Sequence, residues 1–100
     1  MTWEDAVRIA LELPGVEMSA YHGYPALRVA GRFLVRLAED RTSVEFKGLN
    51  AEERALLIAS RPDVFFERTA DRTFHARLAP VDEGTLRGIF EHRWRAVASR

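Results

Sequence analysis

Between Ala26 and Lys47 the chain sets out three strand-like segments with almost nothing between them, and this close succession constrains the fold more than any other feature. Ala26–Val29 leads through Ala30-Gly31 into Arg32–Leu37, and the charged turn Ala38–Arg41 leads into Thr42–Lys47. Strands joined so tightly pair antiparallel, because a parallel return needs a crossover of about a dozen residues or more. Within Thr42–Lys47, Val44 and Phe46 point one way and Ser43, Glu45 and Lys47 the other. The expected product is an antiparallel meander with one buried face and one wetter face.

Helices flank this meander. Thr2 is suited to cap a helix over about Trp3–Leu13, with Glu4 and Asp5 in the first turn, where the helix dipole favours negative charge. Trp3, Ala6, Val7, Ala10 and Leu11 share one face of it, and Pro14-Gly15 ends it. Val16–Tyr24 reads either as an extended lead-in or as a short strand. A second helix starts at Asn50, with Glu53 three residues on in the manner of a capping box, and stops before Pro62. Val64–Arg68 and Phe74–Ala79 read as two more strands joined by Thr69–Thr73. Asp82 caps a last helix whose apolar stripe is Leu86, Ile89, Phe90, Trp94 and Val97, and Val81 with Leu86 forms a hydrophobic staple. Trp3 and Trp94 are expected in the core. Arg87, Arg93, Arg95 and Arg100 suit a helix C-terminus electrostatically.

The expected fold is therefore α+β. It is a two-layer sandwich: an antiparallel sheet of about five strands with the helices on one face, in the order α-β-β-β-α-β-β-α. Residues 1–100 make a single domain. With 47% hydrophobic residues and ten aromatics there is material for a core, and a chain of this size buries roughly two-thirds of its unfolded surface. That matters because there are no cysteines, hence no disulfides, thiolate metal sites or thiol nucleophiles. No apolar run approaches the ~20 residues of a membrane span, and the acidic start is unlike a signal peptide. The cytoplasm is the expected compartment.

Motifs for chemistry are missing. His22, His75 and His92 lack the close spacing of a zinc site, so no metal and no cofactor is expected. Ser19 and His22 carry no glycine-serine-glycine elbow, and Gly23 and Gly31 open no phosphate loop. Glu39-Asp40, Glu52-Glu53 and Asp82-Glu83 fall in a turn and at helix starts, where caps and dipole partners explain the latter two pairs. No catalytic residue is expected.

The polar side of the sheet has more content. If Leu27, Val29, Val44, Phe46, Phe74, Ala76 and Leu78 face the helices, then Arg28, Lys47, His75 and Arg77 face away. Strict alternation along Arg32–Leu37 adds Arg32 and Arg36 to that face, against Glu45 and Glu67. The formal net charge is zero, so this face would be locally basic in a neutral protein. A basic face can meet phosphates, which supply most non-specific DNA affinity. Equally, arginine is a soluble outward residue that pairs with glutamate across strands. Tyr21, His22 and Tyr24 could stack on bases, line a small pocket, or cover the sheet edge.

Leu13-Pro14-Gly15-Val16-Glu17, Tyr21, and Gly23-Tyr24-Pro25-Ala26-Leu27-Arg28-Val29-Ala30-Gly31-Arg32-Phe33 resemble the signature stretch of MmcQ/YjbR-like proteins. Pro62-Asp63-Val64-Phe65-Phe66, Arg77-Leu78, Val81-Asp82 and the helix bearing Trp94 extend the likeness over nearly the whole chain. The resemblance implies a YjbR-like, secretion-chaperone-like fold of the order given above and a DNA-binding role, with no catalytic residues. One departure is Thr69-Ala70-Asp71-Arg72-Thr73, where such proteins often carry proline-histidine-tyrosine between the last two strands. The expected function is a non-enzymatic DNA-binding module using Arg28, Arg32, Arg36, Lys47, His75 and Arg77. The alternative is a protein-interaction or self-association module docking through the sheet face or the strand edges.

Overall fold

A computed structural model describes residues 1–99, so the expectation for Arg100 lies outside the described residues. The chain is a small α+β domain: an open, multi-stranded antiparallel sheet with helices packed on it. In chain order the elements are α1 (Trp3–Ala10), β1 (Val16–Tyr21), β2 (Tyr24–Val29), β3 (Arg32–Leu37), β4 (Ser43–Phe46), α2 (Ala51–Ser60), β5 (Phe65–Arg68), β6 (Thr73–Arg77) and α3 (Glu83–Ala98). Six strands lie in the order β1-β2-β3-β4-β6-β5, one more than the five expected. The addition is β1, the segment that read equally as lead-in or strand. Its partner is close at hand: His22-Gly23, both with positive φ (50° and 81°), turn the chain straight back into β2. Ala30-Gly31 (51° and 78°) do the same between β2 and β3. Two residues of positive φ make the turn whose twist matches the strands it joins.

Helix starts follow the sequence closely. Thr2 with Asp5, and Asn50 with Glu53, each form a reciprocal capping box, and Asp82 accepts from the Thr85 backbone N–H. α1 is shorter than expected, ending at Ala10 with Leu11 as its cap. The core lies between sheet and helices. Leu27, Val29, Val35, Val44, Phe46, Phe74 and Ala76 meet Ile9 of α1 and Leu86, Ile89, Phe90 and Val97 of α3 in one buried cluster. Phe46 and Phe90 join the two layers with ring centroids 5.8 Å apart. Trp3 and Trp94 are half-buried against this cluster, and the Trp94 indole N–H donates to the Pro14 carbonyl at 2.8 Å.

Arg93, toward the C-terminal end of α3, is buried, and its guanidinium lies beside Gly48. Gly48 holds a φ of +85°, which favours glycine, and a Cβ there would stand 2.6 Å from Arg93 Nη2, so the guanidinium would have to shift.

Candidate functional site

The sheet face away from the helices holds a row of directly opposed residues: Ala26, Arg36, Glu45, His75 and Phe66, one from each of β2, β3, β4, β6 and β5. Three members of this row are charged or titratable, yet all three are buried. Arg36 is 5% exposed, Glu45 1% and His75 0%. Arg36 Nη2 pairs with Glu45 Oε1 at 2.9 Å. The rings of Tyr21 and Tyr24, carried by the β1–β2 hairpin end, cover the guanidinium at 5.3 and 5.4 Å. Phe66 stacks on the His75 imidazole, ring centroids 4.9 Å apart.

The six residues expected to form a basic surface are therefore only partly brought together. Arg32 does not share the face. Leu27 pairs with Val35 and Arg28 with Phe33, so Leu34 is a bulge residue with no partner of its own. The bulge reverses the alternation of everything before it. Arg32 pairs with Val29 on the helix side and donates to the Val97 carbonyl of α3 at 3.2 Å, while Phe33 turns onto the opposite face. Arg36 and His75 lie on the expected face but beneath other side chains, so neither meets a phosphate at the surface. Glu67 also departs: it pairs with Phe74 on the helix side and bridges to Arg54 of α2 at 3.3 Å. Arg28, Lys47 and Arg77 remain. Arg28 is half-buried, donating to Ser19 Oγ at 3.0 Å and to the Gly31 and Ala20 carbonyls. Lys47 and Arg77 are exposed.

Sequence reasoning singled out Tyr21 and Tyr24 as rings that could stack on bases, but it missed Phe33 and Phe66, which complete the aromatic half of this surface. Tyr21, Tyr24, Phe33 and Phe66 are half-exposed, and each lies against a cation. Lys47 Nζ sits 4.1 Å from the Tyr21 ring centroid and 4.9 Å from that of Phe33, and it bonds the Tyr21 hydroxyl. Arg41 lies 5.5 Å from the Tyr24 ring and Arg77 4.2 Å from that of Phe66. Among the described residues, Lys47, Arg41 and Arg77 form no carboxylate ion pair. Their exposed positive charge leans on ring faces, an attraction worth about 0.5–1 kcal/mol at such sites.

His75 joins two turns. Ser43 Oγ stands 3.2 Å from its Nδ1 and donates to Asp40, while Thr73 Oγ1 stands 2.6 Å from its Nε2 and 2.8 Å from Asp71 Oδ1. Asp40 and Asp71 each open an Asp-Arg-Thr sequence whose arginine has positive φ, 60° at Arg41 and 57° at Arg72. That recurrence, just before a strand each time, is the signal in the sequence that marks the pair. The Asp71 carboxyl is held well below the usual carboxylate range, by Arg68 first and then by the Thr73 hydroxyl. Ser43 and His75 do not make a hydrolytic pair. The carboxylate of Asp40 holds the serine instead of orienting the imidazole, and Ser43 is fully buried.

Burial pushes the His75 pKa below its ordinary 6.5, outweighing the attraction of Glu45, Asp40 and Asp71, with Arg68 adding to the depression. The unfolded chain then binds more protons than the folded one between pH 6.5 and the lower folded value, so stability falls as pH falls through that interval. Each unit of depression is worth about 1.4 kcal/mol. Urea unfolding across mildly acidic pH is expected to show this slope in the parent and a flatter one in His75→Gln. Equal slopes in the two proteins would rule out His75 as the source.

On the helix side, Leu49, Leu56, Leu57, Phe65, Gly88 and Ile89 line an apolar groove of about 420 Å³ between α2 and α3, ended by the Glu53–His92 pair at 2.7 Å. Among the described residues, no group of three His, Cys, Asp or Glu is placed to hold a metal ion, and no helix is long and apolar enough to cross a membrane. No family model, curated protein or solved structure matches the chain.

Proposed function

We propose that this chain is a non-enzymatic binding module of the MmcQ/YjbR-like, secretion-chaperone-like type, and that its sheet face takes DNA in single-stranded form. The observation that carries this reading is the set of half-exposed rings, Tyr21, Tyr24, Phe33 and Phe66, each beside a cation that has no carboxylate partner among the described residues. A single strand offers both complements at once. Its phosphates draw Lys47, Arg41 and Arg77 off the rings, and its unpaired bases stack where the cations lay. A duplex keeps its base faces stacked and offers phosphates and groove edges instead, and Arg32, Arg36 and His75 are not at this surface to meet its phosphates.

The test is a fluorescence titration with single-stranded and duplex oligonucleotides, on the order of a dozen nucleotides long. The single strand is expected to bind more tightly. Phe66→Ala is expected to weaken it by about 1–3 kcal/mol, the value of one stacked base. Arg77→Ala is expected to lower the salt dependence by roughly one counterion. Undetectable binding at low salt, or a preference for duplex, would overturn the reading.

A further inference from the structure

The two edges of the sheet are protected very differently. β5 is four residues long, packs beside α2, and has its two charged residues engaged, Glu67 with Arg54 and Arg68 with Asp71. β1 is six residues long and carries one charge, Glu17. It has no lysine and no proline, and its ladder with β2 runs through six consecutive pairs without a bulge. Natural edges are normally blunted by those very devices, because an unpaired row of N–H and C=O groups recruits another strand.

The groups left free can be identified. Tyr21 and Tyr24 close a two-residue hairpin, so they form a hydrogen-bonded pair, and such pairs alternate along an antiparallel ladder. Tyr21, Ser19 and Glu17 thus turn their backbone groups toward β2. Met18 and Ala20 turn theirs outward. Two contacts agree with this. Pro25, which has no N–H, stands opposite Ala20, and Arg28 Nη2 approaches the Ala20 carbonyl at 3.4 Å. Val16 also points outward, but its N–H already reaches the Leu13 carbonyl at 3.4 Å. The open segment is Met18–Ala20: both Met18 backbone groups and the Ala20 N–H face outward, the Ala20 carbonyl keeps a second lone pair beside its contact with Arg28, and Met18 is 57% exposed.

We propose that this edge pairs with β1 of a second copy of the chain, antiparallel, about a two-fold axis passing through Ser19. The register follows from the strand itself. An axis through Ser19 sets Met18 opposite Ala20 of the second copy and Ala20 opposite Met18, so the free groups of each edge bond those of the other. Ser19 then faces its own copy at the narrow, non-hydrogen-bonded position, where Cα atoms are about 4.5 Å apart and its small side chain fits without clash. Glu17 meets Tyr21, so no like charges stand opposite each other, and Met18 packs on Ala20 along the helix side. The same parity keeps the two helix faces together and makes the two aromatic faces one surface. The association does not depend on the nucleic-acid reading.

A chain without cysteines makes the register directly testable. Sedimentation of the parent is expected to give a species of twice the 11.4 kDa chain mass that dissociates on dilution. Ser19→Cys is expected to form a disulfide-linked dimer on mild oxidation, because the narrow-site spacing lies within disulfide reach. Glu17→Cys should not, since its two copies would be four residues apart along the strand, about 13 Å. Met18→Lys is expected to sediment as a monomer with the parent's circular dichroism spectrum and the melting temperature of the parent diluted to its monomeric form. A parent that stays monomeric at every concentration, a dimer that survives Met18→Lys, or cross-linking of Glu17→Cys as fast as Ser19→Cys would each overturn the proposal. DNA titrations read separately, so loss of either property leaves the other standing or falling by itself.

Discussion

Glu45→Ala is expected to cost about 3–5 kcal/mol of folding stability, the range for removing one partner of a buried ion pair. The side chains of Arg36 and Glu45 are 6% and 2% exposed, and Nη2 to Oε1 is 2.9 Å. Arg36 already holds two buried donors, Nε and Nη1, without a hydrogen-bond acceptor among the described residues. The faces of Tyr21 and Tyr24 partly offset that lack through cation–π attraction, but they accept no full charge. Removal of Glu45 therefore leaves a guanidinium that is desolvated, unneutralised and unable to reach water without displacing the β1–β2 hairpin end. The pair itself need not stabilise the fold. Replacing both members at once, Arg36→Met with Glu45→Leu, is expected to cost much less than the single change, because no charge is then stranded. Urea unfolding of the parent, the single and the double variant checks this. A single-variant loss below about 1 kcal/mol would mean that the pair behaves as a surface salt bridge and that the row is wet.

The same row shows where sequence patterns stop being informative. Alternation in Thr42–Lys47 assigned Glu45 correctly to the face away from the helices, and it did so for Arg36 and His75. It carries no information on what covers that face. Burial of the row comes from Tyr21 and Tyr24, which reach it because His22-Gly23 folds the hairpin end back, and from Phe66 in the next strand. The error at Arg32 had a different origin, and a trace of it is visible in the sequence. Strict alternation through Arg32–Leu37 puts Arg32, Leu34 and Arg36 on one face, an apolar residue between two charges. The bulge at Leu34 resolves that conflict by sending Leu34 and Val35 both into the core, where they are 1% and 0% exposed. Helix caps were legible because they depend on side chains close in sequence: Asn50/Glu53 reads as a capping box, and Thr2 reads as a cap, although its reciprocal bond with Asp5 came only with the structure. The aromatic surface was legible only at Tyr21 and Tyr24, since Phe33 and Lys47 come from β3 and the end of β4, and only the strand order places them beside Tyr21.

Two phenylalanines test whether the sheet really has one face for stability and another for binding. Phe90→Ala is expected to destabilise the fold by about 3–5 kcal/mol, as for large-to-small changes in a closed core. Phe90 is fully buried, lies in the main cluster and meets Phe46 across the sheet–helix boundary, so neighbours on both layers hold the cavity open. Phe66→Ala removes the same atoms from the opposite face. There the ring is half-exposed, with His75 beneath it and the guanidinium of the exposed Arg77 above it, and water or Arg77 can fill the gap. Its cost in stability is expected to be no more than about half that of Phe90→Ala, since part of the ring was never removed from water. Its cost in single-strand affinity is expected to be the larger of the two once both proteins are measured fully folded, because Phe90 lies on the far side of the sheet from any bound base. Thermal or urea unfolding gives the first ranking and titration below the unfolding transition gives the second. Equal stability losses would mean that Phe66 belongs to a second core. An affinity unchanged by Phe66→Ala would mean that the ring covers His75 and does nothing for a ligand.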